Sequence, residues 1–231
     1  MDQFTPDILF SDFYGSAGDV TAYHLDGKCH IRKRSCSPFP ATQGQQSCLA
    51  VHRRALAAWR TVPHEVQNLW NSFAIKAEPH KPPFDHSSHI SGNNLFVSAY
   101  HGFATLGNEH IPEPVPFEPF PPFAVSINGA AAEEEELRMF FDLTVSDPEN
   151  RYRLLTKIQL TTPGAGRHPG KMRNYLAERA GEGTAFVRIP NFRGISGVSL
   201  NEYQVHARCI LLDTKTGYRS QCQSVSGLIV I

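Results

Sequence analysis

LRMFFDLTV at residues 137–145 and YRLLTKIQL at residues 152–160 decide the fold class. Apolar and polar side chains alternate along both, as on a strand with one buried face. Asp147-Pro148-Glu149-Asn150 between them has the composition of a turn. The same period of two recurs at residues 184–189, 202–212 and 218–225, with Asp213–Gly217 as a tight connection. Residues 163–183 hold five glycines and two prolines around KMRNYLAERA, where one short helix is expected. Short strands separated by turns predict an antiparallel β-sandwich of the immunoglobulin or fibronectin type over 124–231. Cys209 and Cys222 fall on adjacent predicted strands and are read as two buried thiols.

Upstream of the sandwich, residues 108–123 read NEHIPEPVPFEPFPPF, with six prolines. Proline fixes φ and has no amide donor, so neither a helix nor a central strand fits there. An extended, stiff Pro/Phe-rich linker is expected. Three phenylalanines make it a segment that packs on a surface, its own or a neighbour's.

Residues 1–107 read as a hairpin plus a helical domain. Asp26-Gly27 suits the positive φ angles of a two-residue hairpin turn between Leu25 and Lys28. Cys48, His52, Ala55 and Trp59 recur at helical spacing from about Gln45 to Arg60. A second helix begins near Pro63, with Val66, Leu69/Trp70, Phe73 and Ala77 as its buried face. Trp59 and Trp70 are expected in the contact between the two. A third helix runs from Ser91 through Phe103, with Gly107 as its stop. The fold class is therefore α+β.

Opposite charges balance, 22 Lys+Arg against 22 Asp+Glu. That offers no strong nucleic-acid signal. No apolar run reaches the ~18 residues of a membrane span. The start, MDQFTPDILFSDF, has no basic region before an apolar stretch, so synthesis in the cytoplasm without a signal peptide is expected. Five cysteines, an odd number with no CxxC pair, read as reduced thiols.

The order Gly15 and Gly18, Ile31-Arg32, Thr42-Gln43 and Gln45, Ala58-Trp59, Pro63, Trp70-Asn71 with Phe73-Ala74, and Ser91-Gly92-Asn93-Asn94-Leu95-Phe96 resembles a family. Its members are uncharacterised bacterial and phage-associated proteins with a helical N-terminal half and a β-sandwich C-terminal half. The likeness covers residues 15–107 by motif and the rest by β character. It implies a small structural or assembly protein, with no enzymatic activity to carry over.

The sharpest cluster for chemistry is His80, Asp85, His86 and His89, three imidazoles and a carboxylate within ten residues. Such ligands suit zinc, although the spacing HxxxxDHxxH matches no standard metal motif. No GxSxG elbow is present, Cys29 and His30 point to opposite faces of one strand, and Gly170-Lys171 lacks the Ser or Thr of a phosphate loop. The four glutamates 133–136 read as a solvated loop.

The expectation is a non-enzymatic protein with no catalytic residues and no cofactor, assembling with copies of itself or with other particle proteins as part of a virion or phage-like particle. Trp59, Trp70, Phe117, Phe120, Leu228, Ile229, Val230 and Ile231 are its interface candidates; an exposed Leu-Ile-Val-Ile tail would seek a sheet edge. The alternatives are a metal-binding or hydrolytic enzyme on the His80–His89 cluster and a carbohydrate- or surface-binding module.

Overall fold

A computed structural model describes residues 15–17, 20–25, 28–33, 42–77, 90–108, 110–133, 135–147, 149–181, 183–194 and 197–229. Contacts group the chain into two compact units, 1–47 and 48–231. The architecture is α+β, with antiparallel sheets and three helices among the described residues.

The first unit carries a three-stranded sheet of β1 (Gly15–Ala17), β2 (Val20–Leu25) and β3 (Lys28–Lys33) in that order. Leu25 pairs with Lys28, as a two-residue hairpin requires. β1 adds the further pairing that an isolated hairpin lacks.

In the second unit, α1 (Gln43–Thr61, which begins before the boundary), α2 (His64–Ala74) and α3 (Gly92–Thr105) lie close to the expected spans. Ser91 caps α3 by accepting from the Asn94 amide, and Gly107 ends that helix with φ 79°. Two expectations for this region need correction. Cys48 and His52 are exposed, so α1 buries Ala55 and packs the partly buried Val51, Ala58 and Trp59 around it. Leu69 is also exposed, leaving Trp70 and Ala74 as the buried residues of α2.

Two four-stranded sheets follow. One has the order β4-β5-β9-β8, from Phe123–Glu133, Glu136–Val145, Thr184–Pro190 and Glu178–Gly181. The other has the order β11-β10-β6-β7, from Gln223–Leu228, Gln204–Asp213, Tyr152–Thr161 and Arg173–Leu176. Inward side chains of both sheets merge in one core, including Leu137, Met139 and Phe141 of β5 and Val205, Cys209 and Leu211 of β10. Burial alternates residue by residue along β5, as its sequence pattern requires.

Three more corrections concern the strands. The expected helix in KMRNYLAERA is instead β7 and β8, one edge strand of each sheet. The last strand begins at Gln223 rather than Tyr218; between them only the bridge Leu212–Arg219 is paired. Cys222 is exposed, so of this pair only Cys209 is a buried thiol, and burial pushes it up to about 12. Of the glutamates expected in a solvated loop, Glu133 and Glu135 are exposed, and Glu133 and Glu136 belong to the ends of β4 and β5. Arg138 binds Glu133 (2.9 Å) and Glu136 (3.0 Å) across the turn between β4 and β5.

Candidate functional site

The helices meet the sheets through aromatic rings. Trp70 is fully buried and packs edge-on to Phe96, with centroids 5.5 Å apart, and to Tyr218 at 6.3 Å. Trp59 also lies against Phe96, at 5.2 Å, so the two tryptophans meet through a third ring. The chain of rings continues from Tyr218 to Phe117, Phe120 and Tyr152. The Tyr218 hydroxyl donates to the Val115 carbonyl at 2.7 Å, which pins the Pro/Phe-rich segment to the connection after β10. Burial raises the Tyr218 phenol above its ordinary range, so it remains protonated as that donor.

α3 approaches this connection so closely that only glycine fits on either side. A methyl on Gly102 would strike the Gly217 carbonyl, and one on Gly217 would strike that of Ala99. Gly217 also has φ 71°, a conformation costly for a residue with Cβ.

Arg151 anchors the same connection from the opposite charge. Its Nε and an Nη donate to the Asp213 carboxylate at 3.0 and 2.6 Å, and its other Nη donates to Glu118 at 3.0 Å. Asp213 is 3% exposed and also accepts from the Lys215 amide and the Thr216 hydroxyl. Burial alone would raise this carboxyl. The bonds from Arg151, Lys215 and Thr216 outweigh that effect and hold it below the ordinary carboxylate range. Nearby, Asp147 accepts from the Arg151 and Tyr152 amides and pairs with Arg179. Glu118 thus ties the Pro/Phe-rich segment to the sheets by charge as well as by rings.

Phe117, Phe120 and Phe123, with the prolines between them, face Ser220–Gln223 across a groove of about 360 Å³. The exposed Cys222 thiol lies on its rim.

A different arrangement occurs where α1, α3 and the segment after Gly217 come together. His52 Nδ1 and His101 Nε2 are 3.5 Å apart. Arg219 is partly buried, and its Nε meets neither solvent nor an acceptor. Burial lowers its affinity for a proton, only partly offset by Cys48. Burial also lowers His101, followed by the charges of Arg219 and His52.

No protein-family model matches the chain, and no curated relative matches it.

Of the interface candidates, Trp59, Trp70, Phe117 and Phe120 come together in the internal ring chain. Ile229 is buried and its amide donates to the Tyr203 carbonyl, whereas Leu228 is 61% exposed at the end of β11. Val230 and Ile231 lie outside the described residues, as do His80, Asp85, His86 and His89. Among the described residues no group of three or more His, Cys, Asp or Glu is placed to hold a metal, and no helix is long and apolar enough to cross a membrane. The reading of sequence missed Arg151, Asp213, His101 and Arg219. Asp213 had a faint signal, as the first residue of a predicted turn; the others had none, because each is joined to partners many residues away.

Proposed function

We propose that the chain is a non-enzymatic assembly protein built around an immunoglobulin-like sandwich, which self-associates or binds a partner through its sheet edges. The strand order carries this reading. With β4, β5, β6 and β7 taken as strands A, B, C and C′, and β8 to β11 as D, E, F and G, the sheets read ABED and GFCC′. ABED against a sheet built on G, F and C is the arrangement of immunoglobulin domains. The 3₁₀ turn Leu200–Glu202, closed by a Ser199–Glu202 capping box, leads to buried Tyr203 at the start of strand F, where such domains place a tyrosine.

An open sandwich leaves two borders on each sheet, and a border offers unpaired amides and carbonyls to another chain. β11 is such a border; Gln223 at its start reaches the Phe123 carbonyl of β4, and Leu228 at its end is a large apolar side chain in solvent. That combination supports addition of a second copy or of another particle protein at β11. The resemblance of residues 15–107 to phage-associated proteins supports placing the assembly in a phage or phage-like particle. Multi-angle light scattering over a range of concentrations tests the reading. Mass above that of one 25.7 kDa chain is expected, falling towards it in Leu228→Asp. A single-chain mass at every concentration, with the electron micrographs free of particles, contradicts it.

A further inference from the structure

His52 of α1 and His101 of α3 bring two imidazoles together, and the segment that carries Arg219 runs against α3 beside them, with Gly217 packed on Gly102. The imidazoles lie with centroids 5.7 Å apart and planes tilted by 32°. The charge of Arg219 adds to burial in lowering His101, and Cys48, one turn before His52 on α1, offsets part of the effect of burial on Arg219. Among the described residues no carboxylate pairs with the Arg219 guanidinium. Burying part of a guanidinium without a counter-charge is costly, and proteins ordinarily pair or hydrogen-bond such groups. His52 is exposed and His101 only partly buried, so the cluster is open to solvent on one side.

The chemistry that answers this arrangement is an anion. A cation would meet the repulsion of Arg219. A carboxylate brings one charge and two coplanar oxygens, which suits one guanidinium fork but not donors arriving from three elements. A phosphate group brings up to about two charges and three free oxygens, enough for the guanidinium and both imidazoles. Its charge would also favour protonation of His52 and His101, turning each ring into a charged donor.

We propose that Arg219, His101 and His52 form a binding site for a phosphate group, carried either free or as an ester. Binding leaves no covalent trace: the anion takes up hydrogen bonds from the three side chains and supplies the missing counter-charge.

Isothermal titration of the full chain with sodium phosphate, at ionic strength held constant with sodium chloride, tests the site. One saturable binding event per chain is expected. Arg219→Met should weaken it at least tenfold with the circular dichroism spectrum unchanged, and His52→Gln and His101→Gln several-fold each. Should Arg219→Met fail to fold, Arg219→Lys serves in its place, keeping the charge while losing the fork, with weaker binding expected. Titration with phosphoserine separates the two sources. Binding as tight as inorganic phosphate assigns an ester, and binding tenfold weaker assigns the free ion. Absence of saturable heat with both ligands, or equal binding by wild type and the folded Arg219 variants, overturns the proposal.

Discussion

Arg151 and Arg219 act on neighbouring residues of β10, yet their charges are treated in opposite ways. The Arg151 side chain binds Asp213, while the Arg219 backbone bridges Leu212. Arg151 gains a bidentate carboxylate and a second one from Glu118, and these bonds, that from Asp213 foremost, raise its proton affinity. Arg219 is pushed the other way by burial. The first arginine is a structural fastener, holding the β10 turn, the start of β6 and the Pro/Phe-rich segment together. The second contributes nothing comparable to the fold, which is why its charge is better explained by something outside the chain. A burial site alone therefore does not tell what an arginine does; the presence or absence of its acid does.

The largest effect should come from breaking the paired side. Arg151→Met leaves the Asp213 carboxylate buried without its counter-charge, and loss of one partner from a buried pair costs about 3–5 kcal/mol. Urea denaturation measures it as a fall in the midpoint at constant slope. Adding Asp213→Asn to Arg151→Met should recover part of that loss, because the orphaned charge is removed. A double variant no better than the single one would mean that Arg151 acts by packing rather than by charge.

Acid sharpens the comparison next. Asp213 titrates lower in the folded chain than in the unfolded one, so the unfolded chain takes up its proton first as pH falls. Its contribution is complete above about pH 4 and drains away as pH falls through the folded value. The stability gap between wild type and Asp213→Asn should therefore shrink between pH 5 and pH 2.

On the unpaired side the sign reverses. Arg219→Met removes a charge that burial penalises, and without added anion it should leave stability unchanged or raise it by about 1 kcal/mol. The smallest effect belongs to His101. Burial first, and then the charges of Arg219 and His52, lower its proton affinity on folding. The unfolded chain again binds the proton first, so a small part of the stability is lost as pH falls below about 6.5. Chemical-shift titration of the His101 ring should give a midpoint below the ordinary histidine value, moving up in Arg219→Met.

Much of the frame could be read from residues close together in sequence. The 3.6-residue stripes of α2 and α3 and the period of two in β5, β6, β9 and β10 are local signals, and each became the element it announced. β4 was not recognised. Phe123, Val125 and Ile127 do alternate with polar or small residues, but the strand starts at the last proline and ends in an alanine run that suits a helix. In β7 and β8, Tyr-Leu-Ala-Glu-Arg also favours a helix by propensity, and pairing with β6 and β9 overrides it. The start of β11 was misplaced because Tyr218 and Ser220 face inward like strand residues. Tyr218 does so to reach Trp70 and Val115, and Ser220 to accept from the Leu211 amide. The candidate site was the least legible part. Arg219 lies 118 residues from His101 and 167 from His52, and no spacing rule joins residues so far apart.

Parallel urea denaturation of Arg151→Met and Arg219→Met, in chloride buffer at neutral pH and one protein concentration, tests the division between fastener and open charge most directly. The account predicts a midpoint well below wild type for the first and one equal to or above wild type for the second. Comparable falls in both would contradict it, showing that Arg219 is bound into the fold as firmly as Arg151.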